Sequence, residues 1–142
     1  MEFRITIPGD PVAKGRPRFT RTGRSYTPGK TKQFENLVRL AFVEAYPDQV
    51  PAEGPIDLTV RAYFTIPKSW SKKKKAEAAT ERMKKISRPD LDNCLKAVQD
   101  GLNAVAWADD AQIADTTTSK RYSERPRVDI IIKTEEEDNG IN

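Results

Sequence analysis

The chain has 142 residues, with 25 lysines and arginines against 21 aspartates and glutamates for a formal charge of +4, and no histidine. The missing histidine excludes Ser-His-Asp and Cys-His triads, a histidine general base and His-ligated zinc. The length suits one compact domain, the one cysteine (Cys94) cannot bridge internally, and no apolar run nears the roughly 20 residues that span a bilayer, so a cytoplasmic protein is expected.

Residues 2–8 alternate apolar and polar, with Phe3, Ile5 and Ile7 on one side, and predict a strand. A long loop rich in Pro, Gly and basic residues follows from Pro8 to Lys30. Thr27-Pro28 then reads as an N-cap and first helical residue, and Phe34, Leu37, Val38, Ala41, Phe42 and Ala45 predict a helix to about Tyr46. Ile56, Leu58, Val60, Ala62 and Phe64 alternate as a second strand. Ser71 is placed to cap a lysine-rich helix over 72–83. A third helix is expected from about Asp90 to Asn103, with Leu91, Cys94, Leu95, Val98 and Leu102 on its apolar arc and Asp92, Lys96, Asp100 and Asn103 facing outward. Gln112–Tyr122 and Val128–Lys133 read as closing strands. The expected fold is α/β (α+β): one domain over 1–134, a small mixed sheet covered by two main helices, and an acidic tail at 135–142 that frays.

Charge is segregated along the chain. Nine Lys or Arg residues lie between Lys68 and Arg88 against Glu77 and Glu81, and a second basic stretch holds Lys14, Arg16, Arg18, Arg21, Arg24, Lys30 and Lys32. The acids gather from Asp90 to Asp115. Basic segments beside an acidic cluster suit a polyanion held against a metal site, although basic runs are also common solvated surface. Gly23 to Thr31 imitates a phosphate-binding loop, but its first glycine is one residue too distant and no apolar strand precedes it. No nucleotide cofactor is expected.

The chemistry concentrates in Arg88-Pro89-Asp90-Leu91-Asp92-Asn93-Cys94-Leu95-Lys96. Taken alone, Asp-x-Asp at a helix start is most simply a cap, a favourable charge at the positive helix end and a surface pair with Lys96. The second acid pair in Trp107-Ala108-Asp109-Asp110 changes the weighing. Three or four carboxylates converging on one cleft would make an oxygen-ligand site suited to Mg²⁺ or Mn²⁺, with Lys96 beside it to stabilise developing phosphate charge. Cys94 is expected to pack in the core.

The ordered set Pro11-Val12-Ala13-Lys14-Gly15-Arg16-Pro17-Arg18, Tyr26-Thr27-Pro28, Pro89-Asp90-Leu91-Asp92-Asn93 with Lys96, Asp100, and Trp107, Asp109-Asp110, Gln112-Ile113 and Lys120 resembles the RusA-like Holliday junction resolvases of bacteriophages and prophages. The resemblance runs to about Lys133. It implies a homodimer that binds four-way DNA junctions and cuts two opposing strands using Mg²⁺, in recombination and repair. By position, Asp90, Asp92 and Asp110 match the essential acids and Lys96 the catalytic lysine, with Asp109 as alternate metal ligand. A two-fold dimer would also match the two symmetric nicks that resolution needs. Lys14, Arg16, Arg18, Lys72, Lys73, Lys74 and Lys120 are the candidate DNA contacts. The other readings are a less selective branched-DNA nuclease and a junction-binding module without turnover.

Overall fold

The computed structural model describes residues 1–15, 21, 23 and 29–135, with the backbone of 18, 19, 25 and 26. Arg16, the Thr27-Pro28 cap and the tail at 136–142 lie outside the described residues. In chain order the elements are β1 (Glu2–Pro8), β2 (Arg18–Phe19), β3 (Ser25–Tyr26), α1 (Gly29–Ala45), β4 (Ile56–Thr65), α2 (Lys72–Ala79), α3 (Leu91–Leu102), a 3₁₀ turn (Asp110–Gln112), β5 (Ile113–Ser123) and β6 (Arg127–Thr134). Within the long basic loop, β2 and β3 pair as a short antiparallel ribbon, which the loop reading did not include.

The main sheet is mixed, ordered β1-β6-β4-β5. β6 pairs antiparallel with β1 and β4, and β5 runs parallel to β4. Alternation places Phe3, Ile5 and Ile7 of β1 and Ile56, Leu58 and Val60 of β4 in the core. α1 covers this face with Phe34, Val38 and Phe42, and Phe3 stacks edge-on against Phe42 and Tyr46 at 5.7 and 4.8 Å. No helix among the described residues is long and apolar enough to cross a membrane.

α3 buries Cys94, Ala97, Val98, Gly101 and Leu102. Its buried arc is therefore rotated from the expected one: Leu91 is 42% exposed, and the small residues Ala97 and Gly101 face inward instead. The reason is the close crossing of α1. A Cβ at Gly101 would stand 2.9 Å from both the Glu35 carbonyl oxygen and Val38 Cβ. Glycine costs a helix interior about 1 kcal/mol relative to alanine, and here it lets two helices approach.

α2 is shorter than its sequence suggests. Ser71 caps it as expected, accepting the Lys74 amide at 3.2 Å, but the helix stops at Ala79 because Glu81 takes a left-handed φ of 64°. Arg127 holds it there. Its guanidinium, 8% exposed, donates to Glu81 Oε2 at 2.9 Å, to Asp129 Oδ2 at 3.2 Å, and lies 4.2 Å from the Tyr63 ring. Ser123 Oγ also donates to Glu81. These bonds from Arg127 and Ser123 hold the Glu81 carboxyl down at about 2, against an ordinary 4.5. A depressed carboxyl contributes its full stability above pH 4.5 and loses it as pH falls through about 2. The urea midpoint is thus expected to fall between those values, and Glu81→Gln to be less stable at neutral pH with a flatter profile in that window. A variant profile parallel to the wild type would show that this carboxyl contributes nothing to acid sensitivity.

Candidate active site

Asp90 occupies the N-cap position of α3, at φ −68° and ψ 148°, yet its side chain accepts no capping hydrogen bond. The cap, which is the simplest structural use for an aspartate here, is not made. Asp92, in the first turn, is exposed beside a groove of about 440 Å³ between the start of α3 and β5, lined by Leu91, Asp92, Leu95 and Thr116 to Thr118. Cys94 lies directly behind these acids, 3% exposed, and burial pushes its thiol pKa up. A protonated, enclosed thiol is no nucleophile.

The segment leading into Asp90 is fastened from β5. Lys120 Nζ donates to the carbonyls of Ser87 at 2.8 Å and Pro89 at 2.7 Å, and the Lys85 amide donates to the Lys120 carbonyl at 2.9 Å. The Arg88–Pro89 peptide is cis.

Asp109 and Asp110 sit elsewhere. After α3 the chain turns tightly, with the Ala104 amide donating to Trp107 O at 2.8 Å, so the acid pair follows the C-terminal end of the helix that Asp90 begins. Twelve residues make α3 about 18 Å long. Trp107, fully buried, donates its indole N–H to Asp110 Oδ1 at 2.7 Å and fixes that carboxylate. Gln112 Oε1 accepts the Asp109 amide at 2.8 Å, while its Nε2 donates to the carbonyls of Ala52 and Gly54. The four acids that the sequence assigns to one cleft therefore fall at two ends of a helix. Among the described residues no group of three metal-ligating side chains stands close enough to hold an ion. What remains suitable for Mg²⁺ is the Asp90-x-Asp92 pair, since that ion is commonly held by one or two carboxylates plus substrate phosphates.

Lys96 does not pair with Asp92. It lies half exposed and bonds Asp100 Oδ1 at 2.8 Å, one turn further along α3. Asp100 Oδ2 takes Lys14 at 2.9 Å, and Lys14 also reaches Glu35 at 2.8 Å. Burial alone would raise the Asp100 pKa, but the bonds from Lys96 and Lys14 outweigh it and keep the carboxyl below its ordinary range. Lys14, a candidate phosphate contact from sequence, is thus engaged inside the protein. Its amide also donates to Asn93 O at 2.9 Å, which seats the basic loop against α3.

Of the other candidate DNA contacts, Lys72 and Lys73 stand exposed on α2, and Lys74 lies over the Trp70 ring at 3.9 Å. The side chain of Arg18, like Arg16, lies outside the described residues. Sequence reasoning did not single out Arg127, Glu81 or the Trp107 indole. The only signal was an arginine in an apolar run, Arg127-Val128-Asp129-Ile130-Ile131-Ile132, where burial without a partner would be costly.

The family model described as endodeoxyribonuclease RusA matches residues 8–133. A protein of Bacillus subtilis (strain 168), named uncharacterized protein YqaN, is 39% identical over 136 residues, which is 92% of this chain and 95% of that one. The chain belongs to the RusA endodeoxyribonuclease family.

Proposed function

We propose that this RusA-family chain is a Mg²⁺-dependent endonuclease that resolves four-way DNA junctions as a homodimer, by paired symmetric nicks. The observation that carries the reading is the start of α3. There Asp90 holds the cap position without capping, and Asp92, two residues on in the first turn, is exposed beside an open groove. Asp90 gives up a cap interaction of about 1 kcal/mol, which leaves its carboxylate, like that of Asp92, uncommitted and open to a cation.

Mg²⁺ bound there would supply charge for the scissile phosphate and an acidified water. Asp90 and Asp92 would hold it, with the substrate phosphate completing its shell. Lys96, half exposed and one turn away, is within a side-chain swing of the phosphate, and its ion pair with Asp100 directs it along α3. Within one chain Asp110 follows the end of α3 opposite to Asp92. A two-fold dimer that sets α3 of one copy against the 109–110 turn of the other supplies the third acid, and such a site works only as an assembly. Lys72, Lys73 and the basic loop would hold phosphates without reading sequence.

The test is a synthetic four-way junction beside the matching linear duplex, each with Mg²⁺ and with EDTA. Paired nicks confined to the junction and lost in EDTA are expected. Equal cutting of the linear duplex would sink the junction reading, and tight binding with no product would leave a junction-binding module.

A further inference from the structure

Residues 82–89 form a strap between the basic helix α2 and Asp90. They lie along the outer edge of β5, where Lys84 bridges Arg121 antiparallel and Arg121 Nη1 donates to Arg82 O at 3.0 Å. Most of the strap is exposed: Arg82, Lys84, Ser87 and Arg88 face solvent, and Ile86 is 97% exposed. Met83 packs against the Phe64 and Tyr122 cluster, but none of residues 86–89 joins an apolar cluster, so no apolar packing fixes the last stretch that delivers the chain to α3. Pro89 has no amide to anchor, and the Asp90 side chain makes no cap.

We propose that Lys120 is a positioning residue: its ammonium, bonded to the Ser87 and Pro89 carbonyls, sets the direction from which the chain reaches α3 and so aims the Asp90 carboxylate. A lysine has three N–H donors, and two are committed at 2.8 and 2.7 Å to carbonyls one and three residues before Asp90. Charge-assisted bonds of this length are the strong kind. The base of Lys120 is fixed as well, because its strand pairs with β4 at Ala62 and its own carbonyl receives the Lys85 amide. Lys85 Nζ meanwhile bonds Ser87 Oγ at 2.8 Å, which steadies the same turn from the strap side. A lysine so engaged is poorly placed to serve as a phosphate contact, the role its sequence position suggested. The assignment rests on the reading of Asp90 as a catalytic acid.

The test compares wild type with Lys120→Met and Lys120→Arg in three measurements: junction affinity over a salt series, nicking of saturating and limiting junction, and amide exchange at Lys85 and Asn93. Lys120→Met is expected to nick about 10- to 100-fold more slowly with unchanged KM, as displaced supporting contacts do. Its log–log salt slope should match wild type, its Lys85 amide should exchange faster, and Lys120→Arg should recover most of the rate. A slope reduced by about 0.9 with weaker binding and an unchanged rate at saturation would make Lys120 a phosphate contact and overturn the proposal. Unchanged exchange at both amides would overturn it too. If wild type itself nicks nothing, the resolvase reading fails, while the exchange data still decide whether Lys120 holds the strap.

Discussion

Asp90→Asn and Asp92→Asn are each expected to slow junction nicking by at least about a thousandfold, roughly 4 kcal/mol of transition-state stabilisation, while leaving junction affinity nearly unchanged. Each change removes a ligand charge and keeps the side-chain volume. Neither acid sits in an ion pair or a capping bond among the described residues, so fold stability should shift by less than about 1 kcal/mol, the worth of a charge at a helix start. The proposed phosphate contacts on Lys72, Lys73 and the basic loop are expected to keep the junction bound. A variant that nicks at the wild-type rate would remove that residue from the site.

The two-ended placement of the acids makes a sharper version possible. Asp92→Asn and Asp110→Asn protomers, each inactive alone, are mixed and allowed to exchange subunits. If a site takes Asp92 from one copy and Asp110 from the other, each heterodimer holds one intact site, and about a quarter of wild-type nicking should return. If each chain builds its site alone, every site in the mixture lacks one acid and no activity returns. The nicks restored this way should fall on one strand of a junction, since the partner site of each heterodimer lacks both acids.

Trp107→Ala carries the largest expected cost to folding, about 3–5 kcal/mol in urea unfolding. Trp107 is fully buried, where Ala52, the end of α3 and the turn before β5 meet. Against a typical total of about 5–15 kcal/mol, that loss would leave a marginal protein. Trp107→Phe separates packing from hydrogen bonding. It keeps most of the buried area but removes the N–H that holds Asp110 Oδ1 at 2.7 Å, so it should cost less stability and still slow nicking. A Trp107→Ala variant within about 1 kcal/mol of wild type would contradict the packing described here.

Local pattern alone determined much of this protein. The alternation of Phe3, Ile5 and Ile7 announced β1, that of Ile56 to Phe64 announced β4, and Ser71 and Asp90 marked the starts of α2 and α3. These signals depend on neighbours within about four residues, which is why sequence carries them. The ordered motifs from Pro11 to Lys120 also sufficed to resemble the family that the chain belongs to. Only the tertiary structure decided what the charged residues do. Lys14 meets Asp100, Lys120 meets the Pro89 carbonyl 31 positions away, and Arg127 meets Glu81 across 46 positions. Each of these partners is set by sheet order, register and helix crossing, through which a run of lysines and aspartates reads the same whether it faces solvent, DNA or another side chain. The same holds for Asp109 and Asp110: adjacency in sequence to α3 suggested a shared cleft, and the tight turn after Leu102 put them at its far end instead.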